Sequence, residues 1–139
     1  MASVGSYINV PGNADEAIAF YESVFDTKAF SVTRYGDFGG GEGMPEHALS
    51  KVMNSQMLIF GDYLLQVSDH LEDFGGPLAL GSNIAIVLMP DSRSETDRIF
   101  ALLADGGNTR FEPGDAGFGY FADVTDKFGA NWMFFNAPE

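Results

Sequence analysis

Apolar and polar residues alternate at the start of the chain, and the pattern then changes to a helical period. Residues 6–10 alternate in part, which predicts a β-strand that a Pro-Gly pair ends. Asn13 is a suitable N-cap residue, and acidic side chains in the next turn favour a helix N-terminus. Apolar residues then recur at helical spacing, so the sequence predicts an amphipathic helix over 13–25.

The rest of the first half is typical of three strands. β-Branched and aromatic residues predict a strand over 27–35, and apolar runs predict two more over 51–60 and 63–68. Gly61 and Asp62, between the last two runs, are typical of a hairpin turn. The first half is therefore predicted to fold as β-α-β-β-β.

The second half starts in the same way. An apolar run predicts a strand over 83–89. Ser92 with Glu95 fits a capping box, and Asp91 is a competing cap. The helix that begins there is predicted to end near residue 105, because two glycines follow.

The strands that follow this helix complete a repeat. Three are predicted, at 109–111, 118–124 and 131–136. Pro113 and Gly114 are expected to end the first of them, and 126–129 to form the turn before the last. The chain therefore resembles two copies of one βαβββ unit, offset by about 75–80 residues. One copy cannot cover both faces of its sheet, but two can share a core.

Composition and charge narrow the class of protein. The chain has 139 residues, of which 45% are hydrophobic, and this fits one domain with a core. Glycine-rich segments at 36–43 and 73–82 are short enough to be loops inside it. The formal net charge of −13 argues against nucleic acid and anionic membranes as partners, because both attract basic surfaces.

Cysteine is absent from the sequence. Disulfides, thiolate metal sites and cysteine nucleophiles are therefore excluded. Neither a signal peptide nor an apolar run of the ~20 residues that a membrane helix needs is visible, so we expect a cytoplasmic protein.

Several short motifs resemble one known superfamily. SYINVPGNADEA at 6–17, followed by Phe20 and Tyr21, resembles the opening of the vicinal oxygen chelate superfamily, which includes glyoxalase I, extradiol dioxygenases, and fosfomycin and bleomycin resistance proteins. Other motifs resemble its PhnB-like branch: GNA at 12–14, RYGD at 34–37, MPE at 44–46, KVM at 51–53, TDKFG at 125–129 and WM at 132–133.

The resemblance implies a fold, an assembly and a set of site positions. It implies an α+β fold in which two βαβββ modules, about 5–68 and 82–136 of a single domain 1–139, form a cupped mixed sheet. It also implies a homodimer. In metal-dependent members the ligands come from the first and last strands of each module. These four positions map to Ser6, Gln66, Asn83 and Met133.

The residues at these positions are poor metal ligands. Glutamine, histidine and glutamate are usual there in the family, and only Gln66 is of that kind. Ser6 and Asn83 are neutral, and the thioether of Met133 does not suit a divalent ion in an oxygen and nitrogen site. The sequence therefore predicts neither a metal nor another cofactor.

Acidic and basic side chains supply further candidates for catalysis and ligand binding. His47 and His70 are the only histidines. Glu46 and His47 are the candidate catalytic residues, as a general base reaching over the cup, and an exposed loop histidine is the alternative. Arg34 could bind a substrate carboxylate or phosphate, or could pair with a local acid such as Asp37.

The last strand also supplies aromatic residues. Neighbouring side chains on a strand point to opposite faces, so Phe135 faces the cup if Met133 does. Tyr120 or Phe121 would add an aromatic wall, depending on the phase of that strand. The face toward the helices would hold two further aromatic residues, Trp132 and Phe134.

Functions from two classes fit the sequence, and a metal-free enzyme is a third possibility. The first is a metal-free protein that binds a small amphipathic molecule and sequesters it, as bleomycin-type resistance proteins do. Its acidic surface would attract a cationic drug. The cup would be lined by Ser6, Gln66, Asn83, Met133 and Phe135. The alternative is a metal-dependent lyase, isomerase or dioxygenase of the glyoxalase type, with Glu46, His47 and Gln66 as the residues to test.

Overall fold

The chain forms two compact units, Met1–Ala79 and Leu80–Glu139. The structure is a computed structural model that describes residues 1–37 and 39–139. Each unit holds one four-stranded sheet with a twelve-residue helix packed on one face. The fold class is α+β, and the element order confirms the predicted repeat of βαβββ.

The first unit has two parallel strands and two antiparallel neighbours. Its strands are β1 (Ser6–Val10), β2 (Ser31–Arg34), β3 (Val52–Ile59) and β4 (Tyr63–Asp69). They lie in the order β1-β4-β3-β2, and only the β1–β4 pair is parallel. The helices are α1 (Ala14–Phe25), which packs on β3 and β4, and the short α2 (Glu72–Gly75).

The second unit repeats this topology. Its strands are β5 (Ile86–Leu88), β6 (Asn108–Asp115), β7 (Tyr120–Thr125) and β8 (Asn131–Asn136). They lie in the order β5-β8-β7-β6, again with one parallel pair, β5–β8. The helix α3 (Arg93–Ala104) packs on β6, β7 and β8. In the part of the chain that the structure describes, no helix is both long and apolar enough to cross a membrane.

Alternation along the strands separates the core from the other face of each sheet. In the first unit Met57, Leu65 and Val67 are fully buried, and Tyr21 of α1 is fully buried as well. In the second unit Trp132 is the largest fully buried side chain. The polar strand positions between these residues are left on the sheet face opposite the helix.

The N-terminus of α1 is capped differently from the prediction. Asn13 makes no side-chain capping bond, and its Oδ1 is buried without a partner among the described residues. Instead the backbone N–H of Ala14 donates to Asp69 Oδ1, at the end of β4, at 2.9 Å. The other carboxylate oxygen accepts from the N–H of Val52 at 2.8 Å. A tertiary contact therefore replaces the local cap.

The second helix starts as the sequence predicts. Ser92 is the N-cap of α3, and its hydroxyl accepts a hydrogen bond from the N–H of Glu95 at 3.1 Å. Ser92 rather than Asp91 is thus the cap. The Glu95 carboxylate pairs with Arg98 rather than completing the capping box.

Several strand ends differ from the predictions. The strand expected over 27–35 is confined to β2. Pro113 does not end β6, which continues to Asp115 with two register shifts. Because β6 is an edge strand, a residue without an N–H is tolerated there. In the β3–β4 hairpin the positive φ values fall on Phe60 and Gly61, one residue earlier than expected.

The loop between β2 and β3 holds three short 3-10 turns: Tyr35–Asp37, Gly39–Gly41 and Glu46–Ala48. In the glycine-rich segment 36–43, position 38 lies outside the described residues.

Candidate functional site

The strand register gives each sheet a helix face and an opposite face, which we call the open face. In the first unit Leu65 and Val67 are buried on the helix face. Residues directly beside each other on neighbouring strands share a face. Tyr7 pairs with Gln66, so both lie on the open face. There Asn54 Nδ2 donates a hydrogen bond to Gln66 Oε1 at 2.9 Å.

Ser6 lies on the face opposite to Gln66. It pairs with Leu65, and its hydroxyl is 2.7 Å from the hydroxyl of Tyr63. A shift of one residue along a strand turns the side chain to the other face. The predicted alignment of β1 is therefore corrected by one residue, and Tyr7 is the neighbour of Gln66.

A cavity of about 210 Å³ lies in the first unit, between the open face and the segment after β4. Its lining includes Tyr7, Asn9, Ser68 and His70. The Ser68 hydroxyl donates to Asn9 Oδ1 at 3.0 Å. His70 Nε2 is 2.6 Å from the carbonyl oxygen of Gly76, which can only accept, so the hydrogen is on Nε2. Nδ1 is then the acceptor nitrogen of the neutral ring.

The candidate general base, Glu46 with His47, is not in the lining of this cavity. Glu46 and His47 are exposed on a 3-10 turn. His47 Nε2 is 3.3 Å from Asp73 Oδ1, a surface ion pair when the ring is protonated. The lining of the 210 Å³ cavity contains His70 rather than His47. His70 directly follows β4, whereas the predicted strand ended two residues before it, at residue 68. The catalytic role of Glu46 and His47 stays a prediction.

Arg34 is engaged by an acid of α1. Its two terminal nitrogens donate to the two carboxylate oxygens of Asp15 at 3.0 and 2.9 Å, and one also donates to the carbonyl of Ser50. This hydrogen bond raises the pKa of Arg34 and lowers that of Asp15. Asp37, the expected acid, instead accepts from the backbone N–H of Arg34. A ligand carboxylate would have to displace Asp15.

The last strand has the orientation that alternation predicts. Trp132 and Phe134 are fully buried on the helix face, so Met133 and Phe135 lie on the open face of the second unit. Phe121 pairs with Phe135 and shares that face. The neighbouring tyrosine is on the helix side, where its hydroxyl donates to Asp97.

Asn83 does not lie on a strand. It is exposed in a bend before β5, and the position beside Met133 is Val87. The Asn131 amide donates to the carbonyls of Gly81 and Ile84 at 2.8 and 2.9 Å. The apolar pattern predicted a strand over 83–89, but β5 begins only at Ile86. The two bonds from Asn131 hold the chain just before it in a bend.

Four phenylalanines form a cluster on the second unit. The rings of Phe118 and Phe135 are stacked, with centroids 6.1 Å apart and planes 11° apart. Phe121 contacts Phe118 at 5.9 Å and Phe111 at 6.1 Å between centroids. Phe111 and Phe118 are 61% and 59% exposed. We call this cluster, Phe111, Phe118, Phe121 and Phe135, the aromatic face.

A buried acid lies beside the aromatic face. Asp123 is directly opposite Met133, is 5% exposed, and forms an ion pair with Arg110. The Arg110 guanidinium also contacts the hydroxyl of Thr125, and the hydrogen bond to Asp123 raises its pKa. This pair was not among the residues predicted from the sequence. The signal was available, because Asp123 is two residues from Phe121 and so shares its face.

The donor types do not fit a divalent metal. The positions in the first and last strands of each unit hold Tyr7 and Gln66, and Val87 and Met133. An aliphatic side chain offers no donor, and a thioether suits soft ions rather than Mg²⁺, Mn²⁺ or Zn²⁺. Within residues 1–37 and 39–139, no three His, Asp or Glu side chains form a group that could hold a metal.

Comparisons with solved structures identify similar folds. Protein PA1353 from Pseudomonas aeruginosa is 25% identical, with a TM-score of 0.86 and 100% of both chains covered. A putative 3-demethylubiquinone-9 3-methyltransferase, PhnB protein, from Bacillus cereus is 22% identical, with a TM-score of 0.77 over 98% of this chain and 100% of that one. The fosfomycin resistance protein FosX from Mesorhizobium loti is 15% identical, with a TM-score of 0.65 over 99% and 92% of the two chains.

Two comparisons of sequence gave different results. Among curated proteins, none is similar enough in sequence to count as a match. A family model matches residues 6–134, which is nearly the whole chain. The chain therefore belongs to the Glyoxalase/Bleomycin resistance protein/Dioxygenase superfamily.

Proposed function

We propose that this protein binds a small organic molecule with an aromatic part, and that it does so without a metal ion. The observation that carries the proposal is the aromatic face, in which two phenyl rings are more than half exposed. Exposed apolar clusters of this kind often mark binding sites. A family that includes bleomycin resistance proteins is consistent with such a role.

The composition of the open face supports a mixed polar and apolar ligand. The stacked pair Phe118 and Phe135 offers a flat surface for a further ring. Met133 is partly exposed beside it, and its flexible side chain can adapt to ligand shape. The Arg110 and Asp123 pair adds polar groups at the edge of the same face. Sites for small molecules commonly combine apolar walls with a few polar groups.

The donor set supports the metal-free part of the proposal. Val87 and Met133 are neighbours on β5 and β8, where a metal-dependent relative would need ligands. The alternative, a metal-dependent lyase, isomerase or dioxygenase, needs carboxylates or imidazoles at such positions. An enzyme of that type would also have to bind its metal through residues other than this pair.

The test combines metal analysis with ligand screening. Purified protein is exposed to Ni²⁺, Zn²⁺, Mn²⁺ and Fe²⁺, and its metal content and Tm are measured. We expect substoichiometric metal and an unchanged Tm. Aromatic compounds of differing charge are then screened in EDTA, and we expect some to raise Tm. Stoichiometric metal that raises Tm, or ligand binding that requires metal, would overturn the metal-free proposal.

Matched variants locate the ligand. Phe118→Ala removes one exposed ring of the aromatic face, and we expect the affinity for the best ligand to fall about fivefold. Phe30→Ala removes a ring of nearly equal exposure, 61% against 59% for Phe118, from the first unit, and should leave the affinity unchanged. Equal losses in both variants would show that the aromatic face does not bind the ligand.

We also propose that the protein is a homodimer. The apolar side chains of Ile84 and Val87 are exposed at and before β5, which is an edge strand. Exposed edges with apolar side chains favour pairing with another chain. Light scattering should give the mass of two chains, and Val87→Lys should shift the protein toward the monomer. A monomeric wild type would refute the dimer and leave the binding proposal intact.

A further inference from the structure

The second unit contains a cavity of about 450 Å³ that adjoins the aromatic face. Phe135 belongs to both, and Met89, Arg93 and Glu139 are also in the lining. The volume lies in the range of small-molecule sites. The cavity therefore has room for the body of a ligand whose ring reaches the aromatic face.

Arg93, in the lining of this cavity, has a guanidinium N–H that makes no hydrogen bond. Its Nε is buried, and no described residue accepts a hydrogen bond from it. Glu139 Oε1 is 3.3 Å from Nε, but outside hydrogen-bonding geometry, and the nearest oxygen of Asp115 is 4.0 Å from a terminal nitrogen. A buried N–H without an acceptor costs free energy that a suitably placed acceptor would recover.

The guanidinium itself is held in position. Its Cζ lies 4.8 Å from the centroid of the Tyr120 ring, which orients the plane of the group. The Arg93 side chain is only 29% exposed, whereas that of Glu139 is 79% exposed. An exposed and poorly aligned carboxylate binds weakly. Glu139 is therefore easily displaced, while Arg93 stays in place.

The side-chain amide of the lining, that of Asn136, already has its hydrogen-bond partners. The Asn136 amide donates to the carbonyl of Pro90 at 2.8 Å and accepts from the hydroxyl of Thr96 at 2.6 Å. Arg93 still has an unused hydrogen-bond donor, its Nε. Met89 and Phe135 supply apolar surface. This combination suits a molecule with one anionic end and one apolar end.

We propose that this cavity binds an organic carboxylate. Its charged end would take the place of Glu139 on Arg93, and its apolar body would lie against Met89 and Phe135. The inference rests on the proposed function, because Phe135 is part of the aromatic face, and it specifies the charge of the ligand. A carboxylate accepts two parallel hydrogen bonds from the planar donors of a guanidinium, which a neutral amide of the same size cannot do.

The test uses three probes with the same ring: 2-naphthoate, 2-naphthamide and 2-naphthylmethylammonium. Affinities are measured by calorimetry on the full chain in EDTA. We expect the carboxylate to bind at least tenfold more tightly than the amide, and the ammonium to bind most weakly. Tightest binding by the amide or the ammonium would overturn the carboxylate inference and leave the proposed function standing. Binding of none of these probes or of the screened compounds would overturn both.

Variants connect the selectivity to the named residues. Arg93→Met should abolish the preference for carboxylate over amide, while Arg98→Met, in the same helix and paired with Glu95, should retain it. Glu139→Gln should tighten carboxylate binding about threefold by removing the competitor, and Glu112→Gln, which removes the same charge from β6, should not. Circular dichroism confirms that each variant folds. A preference that survives in folded Arg93→Met, or no gain in Glu139→Gln, would refute the assignment.

Discussion

Asp69 Oδ1 accepts a hydrogen bond from the backbone N–H of Ala14 at 2.9 Å, although 55 residues separate them. Its second oxygen accepts from the N–H of Val52 at 2.8 Å, and the residue is 2% exposed. One buried carboxylate thus ends β4, caps α1 and fixes the start of β3. Such an acceptor is costly to remove, because its donors are left buried without partners.

We expect Asp69→Ala to lower the free energy of unfolding by about 2–4 kcal/mol. Asp69→Asn keeps one acceptor oxygen and should lose about half as much. Asp62→Asn alters an exposed turn residue and serves as the control. Urea unfolding followed by circular dichroism measures all three. A loss for Asp69→Ala no larger than for the control would show that the carboxylate does not hold α1.

A similar carboxylate organises the β7–β8 turn. Asp126 accepts from the N–H groups of Phe128 and Ala130, and from the indole N–H of Trp132 at 2.8 Å. We expect Asp126→Ala to cost about 2–4 kcal/mol, since three donors lose their acceptor. Trp132 is the only tryptophan, so its fluorescence reports unfolding of this unit directly.

A double-mutant cycle isolates the indole bond. Asp126→Ala, Trp132→Phe and the double variant should show a coupling energy of about 1–2 kcal/mol, measured by circular dichroism because the second and third variants lack the fluorophore. Additive losses would mean that the bond contributes nothing.

The Arg34 and Asp15 pair predicts a pH-dependent stability. Hydrogen bonding to Arg34 lowers the pKa of Asp15 from its ordinary 3.8. A lowered folded-state pKa stabilises the protein above the unfolded pKa, and this contribution is lost as pH falls through the folded pKa. The Asp15 side chain is 63% exposed, so Arg34→Met should cost no more than about 1 kcal/mol at neutral pH.

That difference should shrink as pH falls from 5 through the lowered folded-state pKa of Asp15, because below that pKa Asp15 is protonated in both states. The measurement is the unfolding free energy of wild type and variant at each pH. Lys28→Met removes an exposed positive charge and is the control. A difference that stays constant across this range would contradict the assigned ion pair.

The register of β5 and β8 predicts where a metal site could be built. Val87 and Met133 are adjacent on parallel strands, and Asp123 lies on the other side of Met133. Val87→His with Met133→His would place two imidazoles about 5 Å apart on one face. We expect this double variant to bind Ni²⁺ at least tenfold more tightly than either single variant. Equal affinities in the calorimeter would show that the pairing is wrong.

Local patterns predicted much of the fold for identifiable reasons. The helical spacing of apolar residues located α1, and Ser92 located the start of α3, because both signals act within one or two turns. Alternation along β8 correctly placed Met133 and Phe135 opposite Trp132 and Phe134. The errors fell where a distant residue decides, as when Asp69 rather than Asn13 caps α1.

The candidate site was less predictable than the fold. Which residues are neighbours on separate strands depends on the register of the strands. The alignment of β1 was wrong by one residue, so Ser6 was predicted where Tyr7 lies beside Gln66. Asn83 was assigned to a strand because its segment is apolar, but Asn131, 48 positions later, holds that segment outside the sheet. Arg93 had no local signal, since the missing acceptor of its Nε depends on where the distant Glu139 and Asp115 lie.

Sequence patterns were enough to predict the repeated βαβββ order, the two main helices and which residues of β8 share a face. These features follow from spacing along one segment, where each residue acts on its near neighbours. Tertiary structure alone decided which side chains meet: Asp69 with Ala14, Asp123 with Arg110, and Arg93 with the cavity beside Phe135. Those contacts depend on pairing between distant segments, and the chemistry of the site depends on those contacts.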